Sequence, residues 1–119
     1  MKLAFPIMGD EALKLVAHTL RQVARTQDVV CRYGGEEFLV ICPDTDSEAA
    51  FQCAERLRLS VAEKSFLLED GSKIQVTVSI GVATTHPAIP TQEALLVKAD
   101  KNLYRAKAKG RNCTITDRP

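Results

Sequence analysis

The chain has 119 residues, 45% of them hydrophobic, and a formal net charge of +1. That suits one domain with one core, and it gives no broad basic field for nucleic acid or an anionic membrane. No apolar run approaches the roughly 18 residues of a membrane-spanning helix, and the opening MKLAFPIM has neither the length nor the cleavage site of a signal peptide.

In chain order, residues 9–25 carry a helical period that sets Leu13, Val16, Ala17, Leu20 and Ala24 on one face. Residues 28–33 and 36–42 are predicted strands joined by Gly34-Gly35, a two-residue turn suited to the positive φ of tight hairpins. The second of these strands is apolar on both faces, which predicts burial on both sides. Residues 43–47 (Pro-Asp-Thr-Asp-Ser) form a turn and a helix cap. The helix that follows, to about Lys64, buries Ala50, Cys53, Ala54, Leu57 and Val61.

Residues 69–72 are a further turn. The segment 73–83 then alternates, with Ile74, Val76, Val78 and Ile80 on one face and Gln75, Thr77 and Ser79 on the other. Thr91 caps a third helix that runs to Lys109, buries Leu96, Ala99, Leu103 and Ala106, and stops at Gly110. Residues 113–116 form a short last strand. Helices alternating with a hairpin and strands give an α/β or α+β class. Cys31, Cys42, Cys53 and Cys113 form no CxxC pair; each lies in an apolar stretch and is expected to be a buried thiol in a reducing cytoplasm.

The hairpin 31-CRYGGEEFLVICP-43 poses the functional question. Glycines let a backbone approach a ligand closely. Two adjacent glutamates in a strand point to opposite faces, so at least one faces burial and needs a cation, a metal or hydrogen bonds. Hard oxygen donors of this kind suit Mg²⁺ held together with substrate phosphates.

Arg32-Tyr33-Gly34-Gly35-Glu36-Glu37-Phe38 resembles the signature of the GGDEF domain, the diguanylate cyclase, in its GGEEF form. Gly9-Asp10-Glu11-Ala12-Leu13 resembles the family's GD-x-x-L helix start. Val78-Ser79-Ile80-Gly81-Val82-Ala83 resembles its SIGVA strand, and residues 99–112, ADKNLYRAKAKGRN, resemble its closing helix. The resemblance spans residues 9–113 and makes residues 1–119 a single GGDEF domain. It implies an α/β fold with a nucleotide-cyclase or polymerase-palm-like (ferredoxin-like) sheet and a GGEEF hairpin packed by helices.

The implied reaction condenses two GTP into cyclic di-GMP and pyrophosphate, with Mg²⁺ or Mn²⁺, between two domains of a homodimer, in bacterial second-messenger signalling. Carried over by position, Glu36 binds metal and is catalytic, and Glu37 assists. Gly34 and Gly35 admit the phosphates, Asp10 accepts from the guanine edge, and Lys107 and Arg111 hold the outer phosphates. Arg25 and Asp28 match the family's RxxD product-inhibition site, with Arg56 as a secondary arginine. The implied setting is a cytoplasmic output domain of a larger sensor, without nucleic-acid or direct membrane contact. The other reading is a non-catalytic cyclic di-GMP-binding module that uses the RxxD site.

Ahead of the GD-x-x-L helix the family usually carries a central strand with a metal-binding aspartate and an FKxxND segment. Residues 1–8 contain no acid and no asparagine. The chain is therefore expected to be either incomplete at this end or a degenerate domain, and to lack the second metal carboxylate and the guanine-binding asparagine. Two repairs of the sheet are open: residues 2–7 serve as a replacement strand, with Pro6 limiting central pairing to its first part, or a second chain lends an edge.

Overall fold

The computed structural model describes residues 1–4, 10–67, 69–89 and 91–117, leaving aside the side chains of Ser65–Leu67 and Ile74. The main sheet has five strands: β1 (Lys2–Ala4), β2 (Val29–Arg32), β3 (Glu37–Ile41), β6 (Ser79–Gly81) and β7 (Thr114–Ile115), in the spatial order β2-β3-β1-β6-β7. β4 (Ser65–Leu67) and β5 (Lys73–Gln75) make a separate two-stranded sheet around the turn at Gly71. Three helices lie among the described residues: α1 (Asp10–Val23), α2 (Ser47–Glu63) and α3 (Gln92–Ala108).

The start of the chain is thus the middle of the sheet. β1 is antiparallel to both neighbours, with Leu3 opposite Phe38 on one side and Ile80 on the other. Among the described residues the pairing strand is Lys2–Ala4, within the predicted 2–7 segment; the rest of that segment, Pro6 included, lies outside the described residues, as do residues 8 and 9.

The period of two divides β1 between two layers. Leu3 joins Phe38, Val40 and Ile80 in the core, under Val16 and Leu20 of α1 and Ala54, Leu57 and Val61 of α2. Lys2, Ala4, Ser79 and Gly81 are on the opposite register positions and are buried too, on the side where α3 packs against β1, β6 and β7. Each fully buried Leu or Ile of this core contributes about 1.5–3 kcal/mol.

The helix ends follow from capping. Asp46 accepts a hydrogen bond from Ala49 N at 2.8 Å to start α2, and Thr91 accepts one from Ala94 N at 3.1 Å to start α3. Asp10 and Glu11 lie in the first turn of α1, where carboxylates complement the helix dipole.

Several expectations are corrected. β3 is not buried on both sides: Phe38 and Val40 are buried, Leu39 is half-buried and Ile41 exposed, because α3 covers β1, β6 and β7 and leaves the hairpin uncovered. Segment 73–83 is two strands in two sheets, so its alternation fails at Ser79, which is buried in β6. The core face of α1 is turned toward Ala12, Val16, Thr19 and Leu20; Leu13 and Ala17 are half-buried, and Ala24 lies past the helix end. On α3 the buried set gains Asn102, and Leu96 is only half-buried. Of the four thiols expected to be buried, Cys53 is; Cys42 and Cys113 are half-buried, and Cys31 is exposed on the edge strand β2.

Candidate functional site at the hairpin and the third helix

The last paired residues of the hairpin are Arg32 and Phe38. Tyr33 N and Gly34 N both donate to Glu37 O, at 2.9 and 3.3 Å, and close a loop wider than two residues. Glu36 therefore lies in the turn and not in β3, and its side chain is not aimed by the strand period. Neither glycine has a φ in the left-handed region, which corrects the expected tight turn. The Arg32 guanidinium ties the loop instead, donating to Gly34 O at 3.2 Å and to Gly35 O at 3.1 Å.

A Cβ added at Gly34 or Gly35 would meet no heavy atom within 4 Å. Neither backbone strain nor internal packing asks for glycine here. What the pair provides is open approach to the main chain.

At the base of the hairpin the structure assembles a cluster that motif reading alone did not find. Lys2 Nζ is 3.1 Å from Glu37 Oε1 and 2.6 Å from Asp100 Oδ1 on α3, and 4.5 Å from the centroid of the Tyr33 ring. The Lys2 side chain is 8% exposed, so its ammonium depends on these partners. Burial works against its charge, but the hydrogen bonds it donates to Asp100 and Glu37 outweigh that and hold its pKa above the ordinary lysine value. Glu37, expected to assist catalysis, is thus already committed to a lysine. The available signal was a lone Lys2 in an otherwise apolar opening strand: a charge on a central strand has to be paired.

Arg25 and Asp28 are likewise committed, to each other. Asp28 Oδ2 accepts from Arg25 N at 2.9 Å and from Arg25 Nε at 3.3 Å, while Oδ1 accepts from Nη2 at 3.0 Å. Thr45 Oγ1 accepts from the same Nη2. The Asp28 side chain is fully buried. Burial alone would raise its pKa, but the Arg25 hydrogen bonds more than offset this and keep the carboxyl below the usual range. Arg56 is exposed on α2.

The side chains of Asp10, Glu36, Arg56, Lys107 and Arg111 make no hydrogen bond or ion pair among the described residues. Asp10 opens α1. One turn on, Leu13 lines a groove of ≈230 Å³ shared with Ala17, Arg21, Val30, Arg32 and Phe38. Lys107 is half-buried, two helical turns beyond Asp100, or about 10 Å along the axis.

Arg111 follows Gly110 with φ 67°, and Asn112 follows with φ 47°. The second is held by Ser79 Oγ, which accepts from Asn112 N at 3.2 Å, and by Arg58, which donates to Asn112 Oδ1 at 3.1 Å. Left-handed backbone costs a non-glycine residue roughly 1–2 kcal/mol. Arg111→Gly is therefore expected to stabilise the fold by about 1 kcal/mol in urea titration. The same substitution is expected to weaken nucleotide binding in calorimetry, which would mark Arg111 as kept for its guanidinium at a cost in stability.

The resemblance to GGDEF domains implies a divalent metal held by carboxylates. Among the described residues no group of three or more His, Cys, Asp and Glu side chains could hold a metal ion. Glu37 and Asp100 converge on an ammonium, and Glu36 stands alone. These residues do not by themselves fit a divalent-ion cage.

The family model described as "Diguanylate cyclase, GGDEF domain" matches residues 7–113. The chain belongs to the GGDEF domain family. It is 46% identical over 109 residues to the response regulator PleD of Caulobacter vibrioides, covering 91% of this chain and 24% of PleD. It is 44% identical over 104 residues to diguanylate cyclase A of Treponema denticola, covering 87% of this chain and 28% of that protein. Its fold superimposes on the GGDEF domain of DgcB from Caulobacter crescentus, solved in complex with c-di-GMP. The TM-score is 0.89 at 26% identity, over 97% of this chain and 74% of that one. The chain spans about a quarter of the length of these curated relatives. No helix among the described residues is long and apolar enough to cross a membrane.

Proposed function

We propose that this GGDEF domain binds GTP across the Gly34–Gly35 turn and acts as one half of a diguanylate cyclase, condensing two GTP into cyclic di-GMP and pyrophosphate when two such domains face each other. One observation carries this reading: two adjacent glycines whose openness no strain or packing among the described residues explains. The main chain beside them is where phosphates approach. The guanine base lies against Leu13 in the groove beside α1, with Asp10 accepting from its edge. Lys107 and Arg111, uncommitted near the end of α3, take the outer phosphates as charge-assisted donors. Glu36 is the carboxylate left uncommitted at the turn for catalysis. The domain works in the cytoplasm, as the output of a larger protein.

A second reading is favoured by the Arg25–Asp28 pair. Its turn holds a guanidinium that is 36% exposed, over a carboxylate that fixes its fork. Such a fork suits a guanine edge or a phosphate, which is product binding of the kind named for the DgcB domain. Arg56 is the secondary contact.

Calorimetry on the 119-residue protein with GTP and with cyclic di-GMP, and chromatography of GTP incubations, separate the two readings. The cyclase reading expects GTP binding that Gly35→Val and Lys107→Ala each weaken, with slow turnover because the donor set is thin. The module reading expects cyclic di-GMP binding weakened at least about tenfold by Arg25→Ala. Unchanged GTP binding in Gly35→Val sinks the first. Equal affinity of wild type and Arg25→Ala sinks the second.

A further inference from the structure

Arg25 and Arg58 each pair with a carboxylate, Asp28 and Glu55 respectively. Arg32 has no such partner among the described residues. Its fork ends on two successive carbonyl oxygens, with Nε donating to Gly34 O at 3.2 Å and Nη2 to Gly35 O at 3.1 Å. The same side chain forms part of the wall of the groove that Leu13 and Phe38 line, so it runs between that groove and the glycine turn. Gly34 N is committed to Glu37 O. The next two amides, Gly35 N and Glu36 N, make no hydrogen bond among the described residues, and the space beside both glycines is open.

We propose that Arg32 is a positioning residue: by holding the Gly34 and Gly35 carbonyls it turns the Gly35 and Glu36 amides outward, as a paired site for the oxygens of a di- or triphosphate. The reason is peptide geometry. Each carbonyl shares a flat unit with the amide of the next residue, and in a trans peptide the C=O and the N–H point in opposite directions. Drawing two successive oxygens onto one guanidinium therefore aims two successive N–H groups the other way. Successive backbone donors of this kind make an anion-binding concavity.

A Gly-Gly turn left to itself has great backbone freedom, and a ligand that had to order it would lose affinity. The rigid fork of an arginine does that ordering beforehand. A lysine, as a single point charge, cannot span both oxygens in the same geometry. The guanidinium also polarises both peptides, which strengthens their N–H groups as donors. Glu36 in the same turn works against an anion, so the two amides and the guanidinium have to outweigh it. The role of Arg32 rests on the cyclase reading above, in which phosphates approach this turn.

The test titrates the isotope-labelled 119-residue protein with inorganic pyrophosphate in EDTA, so that no metal on Glu36 contributes, and follows the amide resonances of the turn by NMR. The Gly35 and Glu36 amides are expected to move downfield along one shared saturation curve, while the Gly34 amide, already bonded to Glu37 O, moves little. Arg32→Lys keeps the charge and the stem along the groove, and is expected to weaken pyrophosphate and GTP binding at least about tenfold. Equal pyrophosphate affinity in wild type and Arg32→Lys overturns the proposal, as does pyrophosphate that leaves both amides unmoved. If Arg32→Lys fails to fold, the wild-type titration decides alone. GTP binding that Lys107→Ala weakens while the two amides stay still sinks the role of Arg32 and leaves the cyclase reading. Pyrophosphate that shifts both amides in a protein that does not bind GTP sinks the cyclase reading and keeps the anion site.

Discussion

Gly81→Ala is expected to cost about 3 kcal/mol or more and to leave little cooperative unfolding in guanidinium titration. Gly81 lies in β6 where α3 crosses it, and a Cβ there would sit 2.2 Å from Leu103 N and 2.3 Å from Ala99 O. Both are backbone atoms of a helix, so no rotamer change can make room. The whole of α3 would have to lift, and Leu103 and Ala106, both buried, would lose their packing. Gly34→Ala and Gly35→Ala are the controls: the space around them is open, and a stability change within about 0.5 kcal/mol is expected for each. An unchanged midpoint for Gly81→Ala would mean that β6 and α3 are not packed this closely.

Lys2→Met is expected to lower stability by about 1–2 kcal/mol at neutral pH, although it adds an apolar side chain of similar length to a buried position. It leaves Glu37 and Asp100 facing one another without the ammonium between them. Breaking a fully buried pair costs about 3–5 kcal/mol. Here the Glu37 and Asp100 side chains are 27% and 61% exposed, and water relieves much of that charge. The pH dependence supplies a second readout. Lys2 has its pKa raised in the folded state, so its contribution is fully present below the unfolded lysine value of about 10.4 and is lost as pH rises through the folded one. The gap between wild type and Lys2→Met should therefore be constant through neutral pH and shrink in strong alkali. A gap that is absent at pH 7 would show that Lys2 is held by packing alone.

Local signals carried much of the fold. The caps at Asp46 and Thr91 and the buried face of α2, from Ala50 to Val61, are where short-range reading places them, because each depends on neighbours within one or two turns. The misses share a different cause. Whether Leu39, Ile41 or Ser79 is covered depends on where α3 lies, and α3 comes late in the chain. The β4 strand gives little periodic signal in three residues. At the site, the glycines and glutamates announced themselves as a motif. Which of the two glutamates is uncommitted was not legible, because the lysine that takes Glu37 is distant in sequence and arrives only when β1 is inserted beside β3.

The position of β1 also dictates an order of assembly. β2 and β3 are sequence neighbours and can pair as soon as both exist, on the microsecond scale of hairpins. β1 precedes every strand it will pair with. It can complete the sheet only after Ile80 and Gly81 have been synthesised, and β7 docks on β6 later still. Such distant pairings pay their loop-closure entropy before any contact repays it. The hairpin with its glycine turn and the β6–α3 unit are thus two nascent pieces, and Lys2–Ala4 is the splice between them. A ribosome-bound chain stopped before β6 would hold the GGEEF loop already formed while its Glu37 still awaited the α3 carboxylate that shares its lysine.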